Sequence, residues 1–213
     1  MATTTTAART VASGGAHARD LDKRARILDG AVKVFAKRGF FHARVSDVAK
    51  ASGVADGTIY LYFKSKDEIL ISIFEDRMEW ILAELKKRMA KLPTARGKLE
   101  EFVDFHIMLA TSYPDVCDVI TIELRQSNKF MKEYANTRFL EYQNLIGDVL
   151  REGKDDGTFR SDIDPAVVKR AIFGALHELV SQWVLMKLPA NRLLRAASQL
   201  KSFVLAGVVG GEK

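Results

Sequence analysis

The sequence predicts an all-α protein: an N-terminal three-helix helix-turn-helix domain followed by a larger helical domain. Three observations lead there. Apolar residues recur at helical spacing in almost every segment, and Gly and Pro fall mostly at the joints between segments. Alternation of polar and apolar residues, the signature of a strand, is sustained nowhere. Charge is uneven: residues 1–66 hold twelve Lys/Arg against five Asp/Glu, net +7, whereas residues 67–213 are net −1, so the overall +6 belongs to the N-terminal block.

In chain order, residues 1–20 are rich in Thr, Ala and Gly, lack the apolar segment of a secretory signal, and read as a flexible arm. The helix-turn-helix domain is placed at 21–65 and a larger helical body at 66–213, to which the family resemblance set out below assigns ligand binding and dimerisation. Asp20 or Asp22 can cap a first helix whose buried stripe is Ile27, Leu28, Ala31, Val34 and Phe35, and Gly39 can end it in the left-handed conformation. Ser46 can accept from the free amides of a second short helix, SDVAKAS, closing at Gly53. A third short segment, ADGTIYLYF, follows. Ser65-Lys66-Asp67-Glu68 has the form of a capping box, and Ile69, Leu70, Ile73, Phe74, Ile81 and Leu85 mark one face of a long fourth helix running to about Leu92, where Pro93 stops it. Further helices are predicted at about 95–113, 115–125, 129–152, 165–187 and 191–208, with Pro114 and Pro165 suited to first turns.

Several function classes are excluded. The single cysteine, Cys117, forms no internal disulfide and no Cys/His cluster offers metal ligands, which fits a reducing cytoplasm and no structural metal. The longest uncharged stretches, such as Phe105–Pro114, are half the length a membrane span needs. G-x-S-x-G, Walker and H-E-x-x-H patterns are missing, so no catalytic residue is assigned and an enzyme, for example a thioesterase, is disfavoured. His106 and His177 lie in apolar surroundings, where a core role is commoner than metal ligation.

What remains is recognition of a polyanion. Two short helices joined near Gly53, beneath an amphipathic helix and inside the basic block, are the parts of a duplex-DNA reader. Val48, Ala49, Val54 and Ile59 can bury against Val34 and Phe35, which leaves Ala55, Asp56, Gly57 and Thr58 outward, small enough for close backbone approach to a major groove. Tyr60 and Tyr62 can each offer a hydroxyl to phosphate or pack within the domain, while Arg44, Lys64 and Lys66 add charge at the edges. Base reading falls to Val45, Ser46, Asp56 and Thr58. Arg9, Arg19, Lys23, Arg24 and Arg26 can be a solvated run or add salt-sensitive phosphate contacts.

The run GVADGTIYLYFKSKDEIL, with ILDGAVKVFAKRGF ahead of it, resembles the signature of TetR-type bacterial transcription regulators. That resemblance implies a homodimer formed through the last two helices and a fourth helix acting as lever between ligand and DNA. By position it implies DNA-facing Val45, Ser46, Ala55, Asp56, Gly57, Thr58, Tyr60, Leu61, Tyr62 and Lys66. Ala55 stands where many members carry Ser, which moves the cap of the third helix to Asp56. GVADGTIYLYF, DEILISIF, IELRQSN and IFGALHELVSQWV are further similar to the FadR-type regulators of fatty-acid degradation in Bacillus and Thermus. For that group the implied effector is a long-chain acyl-CoA that releases the repressor from an operator; no cofactor is implied.

The residues are compatible with such a ligand. Phe102, Phe105, Leu109, Ile120, Phe173, Leu176, Val180 and Trp183, with His177 beside them, can line an apolar tunnel or form ordinary core. Arg125, helped by Lys129, Lys132 and Arg170, can meet phosphates, or Arg125 can pair with Glu123 or a carboxylate on another helix to tie the bundle. Glu123, Glu141 and Glu178 leave open a hydrophobic drug or aromatic metabolite as the effector instead.

Overall fold

The computed structural model describes residues 6–134 and 137–210, with side-chain surroundings for residues 21–132, 134 and 137–210. Its helices are α1 (Thr6–Arg38), α2 (Val45–Ser52), α3 (Asp56–Tyr62), α4 (Lys66–Met89), α5 (Ala95–Ser112), α6 (Pro114–Thr121), α7 (Asn128–Glu133), α8 (Thr137–Asp155), α9 (Pro165–Leu185) and α10 (Ala190–Val208). The chain divides into two compact units after Ile73. The division therefore falls inside α4 rather than ahead of it at residue 66. The first turns of α4, with buried Ile69, Leu70 and Ile73, group with the N-terminal unit.

In the first unit, the predicted stripe of α1 is buried and α2 packs across it. The helix is longer than expected. It begins at Thr6, so most of the anticipated arm is helix, Asp20 and Asp22 lie inside it rather than at its cap, and residues 1–5 fall outside the description. Once the buried stripe has fixed a nucleus, adding a residue costs little, and an Ala-rich segment without proline lets the helix propagate despite Gly14 and Gly15. Gly39, at φ 76°, ends α1 as expected. α2 starts one residue earlier than predicted: Arg44 is its N-cap, Ser46 sits within the first turn, and the Asp47 carboxylate, not the Ser46 hydroxyl, accepts from the Arg44 amide at 3.1 Å. Asp47 also meets Arg38 at 2.9 Å, tying the end of α1 to α2.

In the second unit, α5 packs against α6, α8, α9 and α10, and α9 lies against α6, α8 and α10. Thr94 caps α5 by accepting from Gly97 N at 3.1 Å, and Asp164 caps α9 by accepting from Ala166 N at 2.8 Å, with Pro165 in the first turn. The segment predicted as 115–125 stops at Thr121 and tightens into a 3₁₀ turn, Glu123–Gln126. The segment predicted as 129–152 is two helices, because Tyr134 turns to extended backbone. Its ring stacks on Phe130 at 5.1 Å and meets Phe74 edge-on at 6.0 Å, an aromatic cluster that favours leaving the helical path. The sole β feature among the described residues is an isolated antiparallel bridge, Phe159 to Val209.

Candidate functional site

Helix α3 is held to the first unit by one face. Ile59 and Phe63, four apart, are buried, and the Arg24 guanidinium lies 5.5 Å above the Phe63 ring. The turn before α3 is fixed by Gly53, in the left-handed region at φ 65°, and by Arg26, which donates to Ser52 O at 2.9 Å. Arg24 and Arg26, expected as loose phosphate contacts, are thus engaged within the domain. The other face of α3 is open. Ala55, Asp56 and Gly57 are exposed, Tyr60 is 59% and Leu61 82% exposed, and Thr58 and Tyr62 are half-buried. Arg44, Ser46 and Lys64 are exposed, and Val45 is half-buried. Tyr60 and Leu61 thus lie solvent-exposed on the same short helix as Gly57.

Two sequence expectations change here. Ala55 is the N-cap of α3 without a side-chain cap, and Asp56, already inside the first turn, does not take the role over. Lys66, expected at phosphate, instead donates to the carbonyls of Phe40 at 2.6 Å, Phe41 at 3.0 Å and Ala43 at 3.0 Å. Its three N–H donors are all used. The contacts come from residues more than twenty positions upstream, which local spacing does not reveal.

In the second unit the predicted ligand set is only partly gathered. Phe102 on α5 meets Tyr142 on α8 at 4.9 Å between ring centroids; Tyr142 meets Phe173 on α9 at 6.3 Å; and Phe173 stacks on His177 at 5.6 Å. The chain ends at the surface, where Arg125 lies 2.6 Å from His177 Nε2. A guanidinium only donates, so Nε2 accepts and the neutral ring carries its proton on Nδ1. Arg125 therefore meets His177 rather than the Glu123 pairing considered from sequence. Leu109, Leu176 and Val180 are buried, and Ile120 and Trp183 half-buried. Phe105 is buried beneath the Arg88 guanidinium at 5.0 Å, apart from these ring contacts. Lys129, Lys132 and Arg170 are exposed. The buried indole N–H of Trp183 has no partner among the described residues.

Sequence reasoning left His106, Phe139 and Tyr142 out of the ligand set. His106 Nδ1 and the Tyr142 hydroxyl share a 2.9 Å hydrogen bond, and Phe139 meets Phe173 edge-on at 5.0 Å. The signal was the spacing of Phe139, Tyr142 and Ile146, one face of α8. Burial, reinforced by nearby His177, pushes His106 down to about 4. Burial and Arg125 lower His177, against an opposing pull from Glu178. Both rings are neutral near pH 7 and suit hydrogen bonding inside an aromatic wall. Burial pushes the Cys117 thiol up to about 12, which makes it unreactive. A shallow groove of about 210 Å³ between α4, α5 and α8, crossed by the Lys98–Glu152 pair at 2.6 Å, contains none of the predicted ligand residues. Among the described residues no three His, Cys, Asp or Glu side chains gather as metal ligands, and no helix is long and apolar enough to cross a membrane.

Comparison with known proteins covers both units. Residues 27–73 match the family model described as bacterial regulatory proteins, tetR family, and residues 74–207 match that described as YsiA-like protein, C-terminal region. The chain is 36% identical over 160 residues to a fatty acid metabolism regulator protein of Bacillus subtilis strain 168, covering 75% of this chain and 82% of the relative. It is 27% identical over 195 residues to the HTH-type transcriptional repressor KstR2 of Mycolicibacterium smegmatis, covering 89% of this chain and 90% of the relative. The crystal structure of the transcriptional regulator FadR from Bacillus subtilis in complex with stearoyl-CoA superposes with a TM-score of 0.79 at 33% identity, covering 86% of this chain and 98% of that one.

Proposed function

Because the chain belongs to the TetR family of bacterial regulatory proteins, we propose that it is a DNA-binding repressor of fatty-acid metabolism genes, released from its operator by long-chain acyl-CoA. The observation that carries the DNA half is the open face of α3: Ile59 and Phe63 are buried while Ala55, Asp56, Gly57, Tyr60 and Leu61 are exposed. Arg44 and Lys64 supply phosphate contacts at its edges, and Tyr60 and Tyr62 add hydroxyls. Val45, Ser46, Asp56 and Thr58 read base edges. The effector half is supported by similarity to a FadR that binds stearoyl-CoA. In this chain Arg125 lies at the surface end of an aromatic series that leads inward through His177, Phe173 and Tyr142 to Phe102. A guanidinium there suits a phosphate, and the unpartnered Trp183 N–H suits a carbonyl or another acceptor.

The regulator works as a cytoplasmic homodimer, not as an enzyme. Exposed Val167, Leu185 and Met186 on and just after α9, with Leu194 and 77%-exposed Phe203 on α10, are the apolar surface proposed for the dimer. Two α3 helices then enter major grooves about 34–36 Å apart on a pseudopalindrome. The linkage is reciprocal: an effector that prefers the DNA-incompetent dimer weakens operator binding by the same factor by which operator weakens effector binding. The test is a gel-shift titration of an operator recovered by selecting bound genomic fragments, with acyl-CoAs of several chain lengths. Release by long-chain acyl-CoA and not by free CoA is expected. Unchanged binding at saturating acyl-CoA rejects the effector, and release by an aromatic metabolite or a drug replaces it.

A further inference from the structure

Lys66 is the first residue of α4, yet its side chain reaches back to the loop between α1 and α2. Three carbonyls of that loop converge on its ammonium: Phe40 and Ala43, both partly buried in the contact, and Phe41. The loop supplies one internal backbone bond of its own, Ala43 N to Gly39 O at 3.1 Å. The cation also lies 4.5 Å from the centroid of the Phe40 ring. The residue after Ala43 is Arg44, the N-cap of α2, followed by Val45 and Ser46, which the proposed function places at DNA. The ammonium thus pins the approach to α2 against the start of α4.

We infer that Lys66 is a positioning residue for operator recognition: it fixes residues 40–43, and through them the first turn of α2, while making no phosphate contact itself. The inference rests on the DNA-binding reading above. It departs from the assignment that position alone suggests, because an ammonium with three carbonyl partners has no donor left for phosphate. Its loss leaves three carbonyls without a charged donor and frees the segment that sets where Arg44, Val45 and Ser46 meet the duplex. The same clamp makes any displacement of the first turn of α4 a displacement of that segment.

Two experiments on the full chain decide it. Reductive methylation of lysines, read by mass spectrometry, is run with and without a selected operator duplex. Lys66 is expected to react slowly in both samples, whereas Lys64 reacts rapidly in free protein and is protected by DNA. A Lys66 that reacts freely alone and is protected only on DNA overturns the proposal. Second, Lys66→Met is compared with Lys64→Met by anisotropy against operator and random duplexes over a salt series. Lys66→Met is expected to lower operator affinity about tenfold, to leave random-duplex affinity within about twofold, and to leave the salt slope unchanged. Lys64→Met is expected to weaken both and to reduce the slope by about 0.9. A slope reduced by that amount in Lys66→Met, or equal losses on both duplexes, overturns the proposal. If Lys66→Met does not fold, the methylation pattern of the wild-type chain decides alone. Failure of the wild-type chain to bind any duplex rejects the DNA-binding reading, while the DNA-free footprint still tests the clamp.

Discussion

Gly30 of α1 faces Ser52 of α2 so closely that a Cβ at residue 30 would stand 2.2 Å from the Ser52 hydroxyl oxygen and 3.0 Å from its backbone nitrogen. The hydroxyl does not move aside freely, because it donates to Val48 O at 2.7 Å inside the core. Crossing of α1 and α2, which orients the reading head, therefore depends on this pair. Gly30→Ala gains about 1 kcal/mol in helix propensity but overpacks the crossing at a cost of about 1–3 kcal/mol, so a net loss of up to about 2 kcal/mol is expected. Adding Ser52→Ala removes the nearest clashing atom and should restore most of the loss. Urea unfolding of both single variants and the double variant, followed by circular dichroism, measures the coupling; additive effects would sink the explanation.

Gly57 poses the opposite case. A Cβ there meets nothing within 4 Å, and its backbone is not in the left-handed region, so the fold itself does not require glycine. A glycine inside a helix costs roughly 0.5–1 kcal/mol relative to alanine. The proposed reason for tolerating that cost is outside the chain: room against a duplex. Gly57→Ala should melt at or above the wild-type temperature, and Gly57→Leu should stay folded while losing about tenfold or more in operator affinity. Wild-type operator binding by the leucine variant would remove this face of α3 from the DNA interface.

These pairs mark what the sequence discloses. The stripe Ile27, Leu28, Ala31, Val34 and Phe35, the left-handed Gly39, the close of α2 at Gly53 and the inward Ile59 are set by local periodicity and turn chemistry, and are legible in the sequence. The starts of α1 and α2 are not. Without a proline to stop it a helix extends past its strongest cap, and Ser46 and Asp47 are adjacent acceptors that only the backbone register separates. Nor does spacing along one helix say that Arg125 meets His177 or that Tyr142 bridges Phe102 and Phe173, because those contacts join different helices. Tyr134 broke a predicted helix with no Gly or Pro to signal it, through its stacking on Phe130.

Gly153 near the end of α8 lets the ring of Phe159 lie on the helix. A Cβ at residue 153 would stand 2.1 Å from one ring carbon and 2.4 Å from another. The ring has little freedom to retreat: Phe159 is buried, its amide donates to Gly153 O at 2.7 Å, and it bridges Val209 beyond α10. Gly153→Ala should cost about 1–3 kcal/mol and Phe159→Ala about 3–5 kcal/mol. At roughly 2–4 °C per kcal/mol, differential scanning calorimetry resolves both. An alanine variant melting as wild type would mean that the α8–α9 loop does not hold the end of α10.

Acid should weaken the second unit through its buried histidines. Folding pushes His106 down to about 4 because burial, and then His177, oppose its charge; the unfolded ring titrates near 6.5. A base with a lowered folded pKa contributes stability that is complete above about 6.5 and is lost as pH falls toward about 4, here roughly 3 kcal/mol. His177, also lowered, acts in the same direction. Asp118 acts against them: burial, then Glu123 and Asp115, raise its carboxyl to about 6, so its charge costs stability above that pH and acidification relieves the cost. Denaturant midpoints between pH 7 and pH 4 should therefore fall in the wild type, fall less in His106→Gln, and fall more in Asp118→Asn, where the offsetting relief is gone. A His106→Gln curve parallel to wild type across that window would show that protonation of this ring does not drive the acid loss.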